Sequence, residues 1–144
     1  LLYTPDDCQT VTRILLDQPC DKNEAVVYVG HGNLLPGTAT YCQLDNMLGV
    51  AADADCTYHV STIEGYPTVQ STLAQLAKDK KIKKVRLIPL LLVCGNHTKR
   101  DIAGEYADTM RKAGYSTEVI MQGLGETPAI RAIYIDRIKE MIDK

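Results

Sequence analysis

The run VRLIPLLLV, Val85 to Val93, is apolar at nearly every position. A strand with one face in water alternates apolar and polar side chains. This run has no such alternation, so it must be covered above and below, as strands of parallel sheets are. AVVYVG, Ala25 to Gly30, reads in the same way as a strand over residues 24–30. Two further strands are expected over 56–63 and 115–122. A chain that builds a sheet of this kind must also supply helices for both of its faces.

It does so between the strands. Thr4 is placed to cap a helix with Pro5 at its first position, and Val11, Ile14 and Leu15 recur at helical spacing up to about Asp17. Thr38 to Leu48 reads as a helix with Tyr41, Leu44 and Leu48 on one face. Pro67 opens another, striped by Val69, Leu73, Leu76 and Ala77. Asp101 is positioned to cap a helix carrying Ile102, Tyr106, Met110 and Ala113, which Gly114 stops. Thr127-Pro128 starts the last, with Ile130, Tyr134, Ile138 and Met141. Alternation of this kind predicts an α/β fold. With right-handed crossovers, a flavodoxin-like, three-layer domain follows, its four-stranded parallel sheet placing strand 1 between strands 2 and 3. No repeat, low-complexity tract or long linker divides residues 1–144, so one domain is expected.

Composition narrows the class. With 144 residues, 45% of them apolar, there is material for one core. Phe and Trp are absent, so that core must rest on Ile, Leu, Val, Met and Tyr. A formal charge of −2 gives no footprint for nucleic acid. No run of 18 apolar residues suggests a membrane span, and no signal peptide is visible. The chain begins at Leu1 rather than Met, so residues upstream, any targeting segment among them, are expected to have been removed or left out. Five cysteines, Cys8, Cys20, Cys42, Cys56 and Cys94, form no C-x-x-C pair. Free thiols in a reducing compartment, the cytoplasm, are therefore expected.

Chemistry-bearing residues gather where the strands end. His31, between Gly30 and Gly32, follows strand 1, Glu64 in STIEGYP follows strand 2, and His97 in LLLVCGNHTKRD follows strand 3. Parallel strands deliver their carboxyl ends to one rim, which is where open α/β sheets bind ligands. Neighbouring strands lie about 4.8 Å apart, so two imidazoles and a carboxylate can share one ion. That set suits a divalent first-row metal with positions left open for a substrate. Any one of these residues alone reads as a helix cap or a solvated loop residue, and the convergence of three favours a site.

Other candidates stay open. Cys94 is a thiolate ligand, a nucleophile or a buried structural thiol. Lys99 and Arg100 either hold an anionic substrate or form a solvated turn. Tyr66 is a core residue or a wall of the pocket, and His59, inside strand 2, is structural. GHGNLLPG and GLGETP do not meet G-x-G-x-x-G, and no Walker lysine, H-E-x-x-H or G-x-S-x-G occurs.

Taken together, VYVGHGN, STIEGYPT, IPLLLVCGNHTKRDIAGE and GLGETPAI resemble the anaerobic cobalt chelatases, the sirohydrochlorin cobaltochelatase family of class II chelatases, over their carboxy-terminal half. The resemblance covers nearly the whole chain. It implies ATP-independent insertion of Co²⁺ into sirohydrochlorin, a tetrapyrrole, on the route to cobalamin, with no organic cofactor. His31 and His97 would be the catalytic residues. His31 would take up pyrrole protons and contact the metal, with Glu64 and His97 as the other metal contacts. Lys99 and Arg100 would face the substrate carboxylates. Fe²⁺ insertion on the sirohaem route, Ni²⁺ as the metal, and a non-catalytic metal-binding module are the alternatives. Two departures stand out. Asn96 occupies a position where an acidic residue is expected. The long family members also have two α/β halves, so the implied partner is an amino-terminal half-domain or a second copy in a homo-oligomer.

Overall fold

A computed structural model describes residues 5–32, 39–90, 100–122 and 127–143. Four strands, β1 (Glu24–Gly30), β2 (Thr57–Thr62), β3 (Lys84–Pro89) and β4 (Ser116–Val119), form one parallel sheet in the order β2-β1-β3-β4. β1 pairs with β2 from Ala25↔Thr57 to Gly30↔Thr62, and with β3 from Glu24↔Lys84 to Val29↔Pro89. Strand 1 thus lies between strands 2 and 3, as the crossover rule predicts. The fold class expected from the sequence is the one observed.

Among the described residues, five helical elements cover the sheet. They are α1 (Pro5–Leu15), α2 (Ala39–Ala51), α3 (Val69–Leu76), α4 and α5 (Pro128–Ile142). α4 opens as a π-helix, Asp101–Tyr106, and continues as an α-helix, Ala107–Lys112. All seven residues of β1 are buried, which accounts for its lack of polar alternation. Alternate residues feed two cores. Val26 and Tyr28 pack with Val11, Leu15, Leu44, Leu48 and Ile130 on one face. Ala25, Val27 and Val29 pack with Leu76, Ile102 and Met110 on the other.

Tyrosine takes the place of the missing Phe and Trp. Tyr28 is 2% exposed and its hydroxyl donates to Leu15 O at 2.6 Å. Tyr58 donates to Gln18 O at 2.5 Å. Tyr28 thus bonds the last carbonyl of α1, where a helix leaves acceptors short of partners, and Tyr58 bonds a carbonyl of the turn that follows it. Burial pushes the Tyr58 hydroxyl up to about 12 and Tyr28 higher still.

Several expectations shift. α3 begins at Val69 rather than at Pro67, because the Thr68 side chain accepts from Ser71 N and caps the helix one residue later. Asp101 is not a cap but the first residue of the π segment, and Arg100, the residue before it, makes no side-chain capping bond. β4 is four residues long and half exposed, as an edge strand can be. On α5, Ile130 is buried, but Ile138 and Met141 are exposed, so the stripe outruns the body that covers its start. Arg86 interrupts the apolar run at its start. Its Nε lies 3.0 Å from the buried Glu24 carboxylate, and its Nη1 donates to Pro19 O at 3.0 Å. This cluster sits at the amino-terminal edge of the sheet, away from the rim. No described helix is long and apolar enough to cross a membrane.

Candidate metal centre

Parallel pairing does not stop where β1 and β2 end. Ile63 N donates to Gly30 O at 3.0 Å and Glu64 N donates to His31 O at 2.9 Å. The first carries the ladder one step beyond the strands, and the second, out of the regular alternation, sets Glu64 beside His31. Their side chains meet with His31 Nε2 3.8 Å from Glu64 Oε2, and both are more than half exposed, at 62% and 64%. They stand at the carboxyl rim of the sheet, open to solvent.

The glycines around them are required by space. Gly32 has φ +77°, and a Cβ there would run into the Glu64 carbonyl oxygen and lie 2.7 Å from Thr62 Cβ. A Cβ on Gly30 would meet the ring of Tyr41. Gly65, at φ +108°, turns the chain after Glu64. The loop then returns so that Pro67 O accepts from Thr62 N at 2.8 Å, Thr62 Oγ1 at 3.0 Å and Ser61 Oγ at 3.2 Å. Glu64 is therefore carried on a loop tied back to its own strand.

Two ligands each about 2.1 Å from one metal ion sit roughly 3.0–3.4 Å apart in octahedral or tetrahedral geometry. The His31–Glu64 spacing exceeds this by a few tenths of an ångström, which a rotation of two exposed side chains can close. An imidazole and a carboxylate so placed can hold a divalent ion while leaving its remaining positions open.

Of the residues singled out in the sequence, the structure brings His31 and Glu64 together. His97, Lys99, Cys94 and Asn96 lie outside the described residues. Among the described residues, no group of three or more His, Cys, Asp or Glu side chains is arranged to hold a metal. Arg100 is described and exposed, at the head of α4. Tyr66 is 56% exposed and so is not a core residue. His59 has a structural partner. Its Nδ1 lies 3.2 Å from Asp45 Oδ1, which also accepts from Val60 N at 2.8 Å and so closes the outer edge of β2.

One residue of the rim was not singled out. Tyr41, taken from the sequence as part of the buried face of α2, reaches the strand end, where Gly32 N donates to its hydroxyl at 3.3 Å. The only signal available is its place in the first turn of the helix after His31, which brings it back over the end of β1.

A sequence model of the family Cobalt chelatase (CbiK) matches residues 1–143. The chain belongs to this family. It is 32% identical over 126 residues to the sirohydrochlorin cobaltochelatase of Salmonella typhimurium, covering 85% of this chain and 46% of that one. It is 28% identical over 120 residues to the sirohydrochlorin cobaltochelatase CbiKC of Nitratidesulfovibrio vulgaris, covering 81% and 41%. The chain thus spans less than half the length of these curated relatives. Among solved structures, SirB from Bacillus subtilis with Fe³⁺ is similar in fold, with a TM-score of 0.64 at 16% identity, over 94% of this chain and 54% of that one. The chelatase family is thus reached both from the motifs and from these comparisons.

Proposed function

We propose that this chain supplies the metal-handling half of a sirohydrochlorin cobaltochelatase, inserting Co²⁺ into sirohydrochlorin without ATP. The observation that carries the proposal is the 3.8 Å approach of His31 and Glu64 at the carboxyl rim, in a member of the cobalt chelatase family. The two curated relatives bear the name of this activity.

The chemistry follows from the residue types. Metallation removes two N–H protons from the macrocycle, and imidazole as a class titrates near neutral pH, which suits a proton acceptor. His31 is open to solvent, so it can pass such protons on to water. Glu64 supplies a negative charge next to the ion and offsets part of its charge before transfer. With His97 as a third contact, the ion is held by three protein groups and remains free to exchange toward the four nitrogens of the tetrapyrrole. A closed four-ligand site would retain it. Arg100 and Lys99 are assigned to the carboxylates of the substrate, where charge-assisted hydrogen bonds are strongest. Because the relatives are more than twice as long as the matched region, the facing wall of the substrate pocket is assigned to a second unit. That unit is either a second copy of this chain or the amino-terminal half of a longer protein.

The test is anaerobic metallation of sirohydrochlorin by Co²⁺, followed by absorbance. This chain is compared with His31→Ala and with a no-protein control. Acceleration that is lost in His31→Ala is the expected result. Near-normal turnover in His31→Ala refutes the assignment of His31 as ligand and proton acceptor.

A further inference from the structure

The Gly-His-Gly sequence leaves His31 without a side-chain buttress on either neighbour, so something else must hold its backbone. On the β2 side the bonds that Gly30 O and His31 O accept from Ile63 N and Glu64 N do this. On the β3 side Leu90 N donates to Val29 O at 2.8 Å, two residues earlier. The residue after His31 is buried, and its N–H needs an acceptor, because a buried amide is seldom left without one. That acceptor is the hydroxyl of Tyr41, at 3.3 Å. The Tyr41 ring also occupies the space beside Gly30. A Cβ there would stand 3.1 Å from Cζ, 3.2 Å from the hydroxyl oxygen and closer still to a ring carbon. Tyr41 therefore touches the backbone on both sides of His31, through its ring before it and its hydroxyl after it. The absence of a side chain at 30 is what lets the phenol come so near.

We propose that Tyr41 is a positioning residue of the metal centre. Its hydroxyl, accepting from Gly32 N–H, and its ring, seated on Gly30, hold the His31 backbone in the place that sets the imidazole beside Glu64. This inference rests on the reading of His31 as a metal ligand. Tyr41 touches neither the ion nor the substrate in this role. It acts through the direction in which the His31 side chain leaves the strand end. Groups that orient a ligand in this way change metal affinity by about 10- to 100-fold when removed.

The experiment is titration with Co²⁺ alone, read by calorimetry, with the melting temperature of each variant measured alongside. Tyr41→Phe removes the hydroxyl and keeps the ring. Gly30→Ala displaces the ring and keeps the hydroxyl. Tyr58→Phe is the control, because it removes a phenol that bonds Leu16 O and Gln18 O, just past α1 and toward the amino-terminal edge of the sheet. A fall of about 10-fold in Co²⁺ affinity is expected for Tyr41→Phe and for Gly30→Ala. Tyr58→Phe should lower the melting temperature and leave affinity unchanged. The double variant Tyr41→Phe/Gly30→Ala should bind little worse than the weaker single one, since both act on the same backbone. If Tyr41→Phe binds Co²⁺ as the parent does, whatever its melting temperature, Tyr41 is only structural and the inference fails while the metal reading stands. If His31→Ala also binds as the parent does, or the parent does not bind, both fall together.

Discussion

Replacing Gly32 by alanine separates backbone strain from packing at the rim. At φ +77° a residue with a Cβ is strained by about 1–2 kcal/mol. The new methyl group also lies 2.7 Å from Thr62 Cβ and 3.0 Å from the Glu64 carbonyl carbon, and closest to its oxygen. Two of those atoms belong to backbone, so no rotamer change relieves the overlap, and overpacking of this kind costs about 1–3 kcal/mol. The sum is about 2–5 kcal/mol. Gly114 is the natural comparison. It ends α4 with φ +102°, and a Cβ there meets nothing within 4 Å. Gly114→Ala therefore carries only the strain, about 1–2 kcal/mol. At roughly 3 °C per kcal/mol for a domain of this size, Gly32→Ala should melt about 3–9 °C below Gly114→Ala. Accommodating the methyl group pulls the Glu64 carbonyl away from the end of β1, which loosens the Glu64 N to His31 O bond. Co²⁺ affinity should then fall about 10-fold or more in Gly32→Ala and stay unchanged in Gly114→Ala. Thermal denaturation by circular dichroism and Co²⁺ calorimetry on the two variants read both effects. Equal melting temperatures with equal Co²⁺ affinities would refute the packing account of the Gly-His-Gly turn.

The remaining predictions concern the frame and the two described ligands. His31→Ala and Glu64→Gln should each weaken Co²⁺ binding while changing stability by no more than about 0.5 kcal/mol, since both side chains are mostly in water. A large loss of stability in either would point to a structural role. Burial raises the Tyr58 and Tyr106 phenols from the ordinary 10 to about 12. Below pH 10 folded and unfolded chains both hold these protons, and between pH 10 and 12 only the unfolded chain releases them, so stability should fall as pH rises through that window. Urea midpoints that stay level from about pH 9 to about pH 11 would contradict this. Arg86→Met strands the Glu24 carboxylate, which is 2% exposed, and should cost about 3–5 kcal/mol. Adding Glu24→Gln should recover much of that loss in denaturant titrations, and a strictly additive double variant would mean that the pair is not coupled.

The central strands could be read from the sequence because β1 and β3 are covered on both faces, and apolar runs record that directly. The strand order followed because right-handed crossovers leave few alternatives. The margins were harder to read. β4 is a short edge strand whose residues are half in water, so its pattern sets no clear limits. Periodicity on α5 marks which residues share a face but not how far the body extends to cover them, and Ile138 and Met141 project beyond it. The π opening of α4 changes the hydrogen-bond spacing without changing the apolar pattern, so Asp101 read as a cap. At the rim, His31 and Glu64 could be placed together because parallel strands end on one side, whatever the details of the loops. Tyr41 could not be placed. An aromatic residue on a helix face reads as core, and its hydroxyl contact with Gly32 depends on how α2 packs over the strand end.

The central claim is that His31, Glu64 and His97 hold one metal ion at the carboxyl rim of the sheet. X-ray absorption at the cobalt K-edge of the Co²⁺-loaded chain tests it most directly. The account predicts a first shell of mixed nitrogen and oxygen, with the outer-shell scattering of two imidazoles. One imidazole should be lost in His31→Ala and one in His97→Ala. A shell of oxygen alone, or one that keeps both imidazoles after either substitution, would contradict it.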